Sequence, residues 1–303
     1  MKSAIVAGAS GFIGRYLVND LVTNGIQVLT LDRRPSKDIS RDTRSVEFKL
    51  DSVDRLLMQW TETHGQYDTF YNLAWQGSSG NVRSDTRLQL DNVQWSIDLL
   101  RFAKQIGCTR YIGAGSIMEH ETIEETLSQG HRPNLAHVYS DAKLAAHLMG
   151  KSIAADIGID FIWAEITNAY GPGERSPRLI NSTLRKILRG ELLEFTSATQ
   201  LYDFIFVADA AEALRLIGDK GIPFCEYTLG SGHAKPLRSF IEELVSAFSP
   251  VIPPQFGVVP YSGFDLPAEA FSIARLEQDT GFRCRTSFVD GLHQTMMSLK
   301  EEG

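Results

Sequence analysis

Three glycines spaced three residues apart follow the first apolar segment of this 303-residue chain. Residues 4–7 predict a short strand, Gly8, Gly11 and Gly14 form the glycine series, and residues 11–24 predict a helix. Glycines lack a Cβ, so they allow a tight turn and a close approach of the backbone to a ligand. The helix N-terminus that follows favours negative charge. The pattern therefore predicts a strand–loop–helix unit that binds the pyrophosphate of a dinucleotide.

Strand-like and helix-like segments alternate through the first half of the chain. Such alternation predicts a parallel sheet covered by helices on both faces, with ligands at the carboxyl ends of the strands. We expect an α/β fold: a Rossmann-like doubly wound parallel sheet at residues 1–167 that binds the dinucleotide, and a smaller C-terminal α/β substrate domain at 168–303. Some segments of the second part can return to the first. The other predicted strands are 27–31, 46–50, 69–73, 110–114 and 161–166, and the other predicted helices are 53–64, 87–106, 136–156 and 178–189.

Composition argues for an ordinary globular enzyme and against several other classes. A net charge of −7 without a basic stripe disfavours nucleic-acid binding. No apolar run reaches the roughly 20 residues that span a bilayer, and the first strand begins too early for a signal peptide. We therefore expect a cytoplasmic protein with no membrane association. Neither a disulfide framework nor a metal site is expected from the three scattered cysteines, Cys108, Cys225 and Cys284.

A tyrosine and a lysine, Tyr139 and Lys143, are spaced one helical turn apart in a predicted helix. A phenol with a pKa near ~10 is a poor base at neutral pH, but a neighbouring ammonium favours the phenolate. By itself this tyrosine is better explained as a half-buried helix residue. Together with the glycine loop, the pair indicates nicotinamide-dependent hydride chemistry with Tyr139 as general acid/base.

The order of these motifs resembles the extended short-chain dehydrogenase/reductase family, in particular its NAD-dependent nucleotide-sugar epimerase/dehydratase/reductase branch. The resemblance covers nearly the whole chain. Family members commonly dimerise through two long helices, here 87–106 and 136–156, so the resemblance implies a homodimer. Its further marks are Asp32, Asp51, Asn72-Leu73-Ala74, Asn92, Ser116, the Asn168–Gly173 turn and the segment 203–209.

The resemblance implies Ser116, Tyr139 and Lys143 as the catalytic residues. Asp32 ends the second predicted strand, where a carboxylate accepts hydrogen bonds from the adenosine ribose and repels a 2′-phosphate. This favours NAD, although Arg33 and Arg34 leave NADP open. The implied cofactor-binding residues are Gly8, Ser10, Gly11, Phe12, Ile13, Gly14, Asp32, Arg33, Asp51, Ser52, Leu73, Ala74, Asn92, Ala114, Tyr139, Lys143 and Thr167.

Two departures from the family pattern bear on the substrate. Ile117 and Met118 replace the Asp-Glu pair with which dehydratases of this branch protonate a departing hydroxyl, which disfavours a dehydratase. Tyr202 replaces an arginine that binds the substrate's pyrophosphate in many relatives; such an aromatic resembles a subgroup that reduces 4-keto-6-deoxysugars. Substitutes for that arginine are Arg175, Arg178 and Arg185, and the implied substrate-binding residues are Gln76, Ser116, Asn168, Arg178 and Tyr202.

Three functions remain open at this point. The first is a reductase of a nucleotide-activated 4-keto-6-deoxysugar, and the second is a nucleotide-sugar 4-epimerase with the same catalytic residues. The third is a non-catalytic dinucleotide-sensing protein, which the fold alone permits. Glu119 and His120 either line the sugar-binding site or lie in a solvated loop.

Overall fold

The computed structural model describes residues 1–33, 43–60, 64–130, 133–135, 137–261 and 263–302. Within these residues the centre is a seven-stranded parallel sheet in the order β3-β2-β1-β4-β5-β6-β10, with two small two-stranded sheets beside it. The predicted Rossmann-like doubly wound sheet is confirmed. The strands are β1 (Ser3–Ala7), β2 (Gln27–Asp32), β3 (Arg44–Glu47), β4 (Thr69–Asn72), β5 (Arg110–Ser116), β6 (Asp160–Ile166), β7 (Asn168–Tyr170), β8 (Leu201–Tyr202), β9 (Phe204–Phe206), β10 (Glu226–Leu229) and β11 (Lys235–Pro236).

Helices cover both faces of the main sheet, with α1 and α7 packed together on one face and α3 and α5 on the other. None of the described helices combines the length and the apolar character needed to cross a bilayer. The helices are α1 (Phe12–Thr23), α2 (Val53–Gln59), α3 (Thr86–Gln105), α4 (Glu119–Leu127), α5 (His137–Ile157), α6 (Leu179–Arg189), α7 (Val207–Lys220), α8 (Leu237–Phe248), α9 (Ala274–Thr280) and α10 (Phe288–Glu302).

The central strand β1 is buried on both faces, as parallel sheets require. Ala4 and Val6 belong to the core beneath α1 and α7, whereas Ile5 and Ala7 belong to the core beneath α3 and α5. Alternation of side chains along one strand therefore joins the two helical layers to the sheet.

The register of the sheet aligns the carboxyl ends of its strands. Ala7 is paired with Leu31 of β2 and with Asn72 of β4, and Asn72 is paired with Gly113 of β5. The segments that follow these strands consequently lie along one edge.

A third core lies outside the main sheet and contains Tyr170, Leu184, Phe240 and Leu292 among its buried residues. It joins β7 and β9 to α6, α8 and α10. Between these elements the chain returns to the main sheet, because β10 pairs with β6 and α7 packs on α1. The domain division after residue 167 stays a prediction.

Two predicted elements differ from the structure. The predicted strand at 46–50 is wrong in its bounds: β3 ends at Glu47, and a 3-10 helix covers Leu50–Ser52. The Phe48 N–H still donates to the Asp32 carbonyl at 2.8 Å, as in a parallel ladder, and the chain then enters the 3-10 helix with both Phe48 and Leu50 buried. The helix predicted at 53–64 ends at Gln59; residues 61–63, and residue 136 at the start of another predicted helix, lie outside the described residues.

Candidate functional site

The glycine loop packs so tightly on the end of β4 that side chains are excluded. Gly8 has a φ of +82°, and a Cβ there would lie 2.8 Å from the Ala74 nitrogen. A Cβ on Gly14 would lie 2.1 Å from the Gly8 carbonyl oxygen. The backbone at the N-terminus of α1 consequently faces open space, with Phe12 and Ile13 in the wall of that space.

Two cavities follow the carboxyl edge of the sheet and share residues of the glycine loop. One, of about 290 Å³, lies between this loop and the Tyr139–Lys143 helix, and the other, of about 440 Å³, lies at Asp32. Cavities of this size, with a loop that admits only glycine and a helix N-terminus, fit a dinucleotide. Of the predicted cofactor residues, the walls contain Gly8, Ser10, Gly11, Phe12, Ile13, Gly14, Asp32, Arg33, Leu73, Ala74, Ala114, Tyr139, Lys143 and Thr167.

Asp32 is fixed by the glycine loop. One carboxylate oxygen accepts from the Ser10 N–H at 2.9 Å and the other from the Ser10 hydroxyl at 2.7 Å. Burial raises the pKa of the Asp32 carboxyl above its usual value, and the hydrogen bonds from Ser10 oppose this shift without cancelling it. Arg33 lines the same cavity, and Arg34 lies outside the described residues.

Three other predicted cofactor residues lie outside the walls of these cavities, so their role stays a prediction. Asp51 is exposed and accepts from the Ser52 hydroxyl at 2.9 Å, while Phe48 and Leu50 line the cavity instead. Asn92 is buried in α3, and its amide bonds both the N–H and the carbonyl of Gln76 at 2.9 Å. Asn92 thus holds the loop after β4.

Lys143 is buried behind the glycine-loop cavity. Its Nζ donates to the Ala114 carbonyl at 2.7 Å and lies 3.8 Å from the centre of the Trp75 ring. Burial disfavours the ammonium and lowers the pKa of Lys143 to about 7. No sequence pattern pointed to Trp75, because its contact with Lys143 depends on tertiary packing.

Tyr139 lies between the cofactor side and a third cavity, and its pKa differs from the expected direction. Burial raises the pKa of the Tyr139 phenol above its usual value, while Arg178, Arg83 and a hydrogen bond with the Ser116 side chain oppose this. Desolvation therefore outweighs the neighbouring cations in this structure. A buried, protonated phenol can donate a proton.

The third cavity, of about 280 Å³, adjoins Ser116 and Tyr139 and is called here the substrate cavity. Asn168 borders it and donates to the Asp203 carbonyl at 3.0 Å, which ties β7 to the start of β9. Gln76 lies instead in the wall of the Asp32 cavity. The substrate cavity also contains the predicted residues Thr167, Arg178 and Tyr202, and three that sequence reasoning missed, namely Arg83, Glu174 and Asn181.

Glu119 lies behind Ser116, neither in the substrate cavity wall nor in a solvated loop. It is fully buried, and its carboxylate accepts from the Ser116 N–H at 2.8 Å, from Trp163 Nε1 at 3.0 Å and from His147 Nδ1 at 3.2 Å. Both expectations for this residue are therefore wrong. His120 is likewise absent from the cavity wall and contacts Glu165 at 3.1 Å.

The space for this carboxylate depends on glycines in β5. The Trp163 ring lies across the strand, so that a Cβ on Gly113 would be 2.2 Å from the ring and a Cβ on Gly115 2.3 Å from Nε1. His147 stacks on the other side of Trp163 at 4.8 Å between ring centres. The end of the catalytic strand is thus held by a buried, hydrogen-bonded layer.

Comparison with known proteins identifies relatives of this arrangement. Residues 4–230 match the family described as the NAD dependent epimerase/dehydratase family. A dTDP-6-deoxy-L-talose 4-dehydrogenase (NAD(+)) from Aggregatibacter actinomycetemcomitans is 25% identical over 86% of this chain and 96% of its own length.

Two further proteins extend the comparison. The trifunctional UDP-glucose 4,6-dehydratase/UDP-4-keto-6-deoxy-D-glucose 3,5-epimerase/UDP-4-keto-L-rhamnose-reductase of Arabidopsis thaliana is 22% identical over 97% of this chain, which spans only 46% of that protein. The structure of Thermus thermophilus UDP-glucose 4-epimerase complexed with NAD superposes with a TM-score of 0.79, at 19% identity, over 98% of this chain and 99% of the other. The shared fold therefore extends over nearly the whole molecule.

Proposed function

Because the chain belongs to the NAD-dependent epimerase/dehydratase family of enzymes, we propose that it reduces a nucleotide-activated 4-keto-6-deoxysugar with a nicotinamide cofactor. One observation carries the proposal: Tyr139 and Ser116 line both the glycine-loop cavity and the substrate cavity. A group reduced by a nicotinamide must contact the cofactor and a proton donor together. The relatives named above, whose names include a 4-dehydrogenase and a 4-keto-sugar reductase, support this reaction class.

In the proposed reaction the sugar ketone lies in the substrate cavity. A bound nicotinamide cofactor supplies the hydride. The Tyr139 hydroxyl gives its proton to the ketone oxygen, to which the Ser116 hydroxyl also donates a hydrogen bond. Lys143 holds the end of β5 through the Ala114 carbonyl and would bind the nicotinamide ribose. Since Ile117 and Met118 carry no acid, the two positions after Ser116 cannot assist elimination of a hydroxyl.

NAD is the cofactor of this family, and we propose that Asp32 makes NADH the preferred form. The carboxylate lies in the wall of the 440 Å³ cavity, where it would accept from ribose hydroxyls and repel a 2′-phosphate. Arg33 in the same wall is the group that would bind the 2′-phosphate of NADPH.

The main alternative is a nucleotide-sugar 4-epimerase, which the structural likeness to an epimerase favours. An epimerase returns the hydride to its substrate, whereas a reductase consumes it. The assembled Ser116, Tyr139 and Lys143 argue against a purely sensory protein, which needs no proton donor.

We also propose a homodimer and a cytoplasmic location. Helices α3 and α5 pack against each other and expose Leu90, Leu148 and Met149 on their outer surfaces. Light scattering of the purified chain would test the dimer, and a monomeric mass would contradict it.

The deciding experiment is an assay of UDP-, CDP-, GDP- and dTDP-linked 4-keto-6-deoxysugars with NADH and NADPH. A reductase consumes about one reduced nicotinamide per sugar converted. Interconversion of two epimers without a net change in nicotinamide absorbance would replace the proposal by the epimerase.

A further inference from the structure

Arg83 is a cation in the substrate cavity that neither motif nor resemblance assigns. It lies on the 3-10 helix Asn81–Ser84 between β4 and α3. Its guanidinium carbon lies 4.5 Å from the centre of the Tyr139 ring, and Nη2 lies 2.7 Å from the Met118 sulfur. The positive charge therefore lies beside the proposed proton donor.

Within the described part of the chain, this guanidinium has no carboxylate within ion-pair distance. Its Nε is buried and makes no hydrogen bond. Burial lowers the pKa of Arg83 and the positive charge of Arg178 acts in the same direction, whereas Tyr139 and the more distant Glu121 carboxylate oppose them. Arg87, on the next helix, is the contrast: its side chain is 86% exposed and pairs with Asp91 at 3.1 Å.

A half-buried cation that no carboxylate pairs is unfavourable unless a ligand supplies an anion. Arg83 and Arg178 place two guanidinium groups in one cavity wall, and guanidinium groups bind planar oxyanions through paired hydrogen bonds. The same wall contains Tyr202, whose phenol carries no positive charge, so Arg83 and Arg178 are the two cations among the described residues of this wall.

We propose that Arg83 binds an oxyanion of the substrate next to Tyr139, either a carboxylate on the sugar or the diphosphate. This inference rests on the proposed function in taking the substrate to be a nucleotide sugar. Arg83 is absent from the walls of the two cofactor cavities, so its role is confined to the substrate.

Calorimetric titration with UDP-glucuronic acid, UDP-glucose and UDP tests the proposal on wild type, Arg83→Gln and Arg83→Lys, with Arg87→Gln as the control. Arg83→Gln should weaken binding by about tenfold or more, and Arg83→Lys should recover part of the loss. A loss confined to UDP-glucuronic acid assigns the carboxylate and replaces the 6-deoxysugar of the proposed function, whose C6 is a methyl group, by a sugar acid. An equal loss for all three assigns the diphosphate. Unchanged affinities in Arg83→Gln overturn the inference and leave the proposed function standing.

NADH affinity and the circular dichroism spectrum should be the same in all four proteins, which separates this role from a structural one. If wild type binds none of the three uridine nucleotides, its substrate carries another nucleotide and a second measurement decides. Phenylglyoxal modification of Arg83, read by peptide mass spectrometry, should be suppressed by inorganic pyrophosphate or glucuronic acid. Equal modification with and without these anions overturns the inference.

Discussion

The cofactor side and the substrate side of the site meet at Tyr139 but differ in how their polar groups are bonded. On the cofactor side, Asp32 is bonded to Ser10 and Lys143 to Ala114, all within the protein. Among the described residues that line these cavities, the buried side-chain atoms without a hydrogen bond are Arg83 Nε and Asn181 Oδ1 on the substrate side and Ser176 Oγ in the wall of the glycine-loop cavity.

This difference indicates which side is complete before a ligand binds. Buried polar atoms without partners are uncommon, and each one needs an explanation. On segments that line a cavity next to a proton donor, the explanation we favour is a ligand that supplies the missing bonds. The charged groups of the cofactor side are therefore preorganised, whereas Arg83 on the substrate side would be completed by a ligand.

The substitution with the largest expected effect is Tyr139→Phe, at the residue where the cofactor side and the substrate side meet. The change removes the proton donor and little volume, so turnover should fall by about 10²–10⁴-fold while NADH binding is kept. The loss of NADH absorbance, followed by stopped-flow or steady-state kinetics, measures turnover. Fluorescence titration measures NADH binding. Near-normal turnover would show that another group in the substrate cavity, with Glu174 first, donates the proton.

Glu119→Gln tests whether the buried layer behind Ser116 supports the preorganised side. Burial lowers the pKa of His147, but hydrogen bonds with Glu119 and Glu226 outweigh burial and raise this pKa to about 9. A raised pKa stabilises the folded protein below the unfolded value of ~6.5, and that contribution is lost as the pH rises through about 9. Glu119→Gln should lose about 1.5–3 kcal/mol of unfolding free energy at pH 6 and less at pH 9.

Denaturant unfolding of both proteins at several pH values measures this difference. The comparison must be with wild type at each pH, since the lowered pKa of Lys143 acts in the opposite direction. Glu226→Gln is the control, because that partner is half exposed and lies 3.3 Å from His147 Nε2. A pH-independent difference would contradict the ion pair.

Gly14→Ala tests the glycine loop itself. The added methyl would meet the Gly8 carbonyl at 2.1 Å, so the loop must open and the protein should lose about 1–3 kcal/mol of stability together with NADH affinity. Thermal unfolding and fluorescence titration measure the two effects. Gly25→Ala adds the same methyl in open space at a φ of +75°, so it should cost stability through backbone strain but leave NADH affinity unchanged. Equal NADH binding by Gly14→Ala would disprove the close approach.

The smallest expected effect concerns cofactor choice. Asp32→Ala removes the carboxylate that repels a 2′-phosphate, so the preference for NADH over NADPH should fall by about tenfold. The dissociation constants of NADH and NADPH, determined for wild type and for Asp32→Ala, measure this preference. Equal or tighter NADPH binding by wild type would assign Arg33 to the phosphate instead.

The features that could be predicted from the sequence are those set by neighbouring residues. The spacing of Gly8, Gly11 and Gly14 predicts a tight turn that leads into a helix. The four-residue separation of Tyr139 and Lys143 places both side chains on the same face of a helix. The strand–helix alternation likewise predicted the sheet, because it follows the periodicity of the chain. The bounds of β3 were missed because the chain leaves the strand for a 3-10 helix in which Leu50 packs into the core, and no local pattern shows that packing.

The tertiary structure alone decided what surrounds those motifs. The sequence left Glu119 open between a solvated loop and the sugar-binding site, whereas in the structure Trp163 and His147 enclose it. Arg83 lies at the site only because α5 places Tyr139 against its guanidinium. The direction of the Tyr139 pKa shift also depends on burial, which no local pattern encodes. Local geometry determined which residues can do chemistry, whereas desolvation and contacts between distant segments decided their charge and their partners.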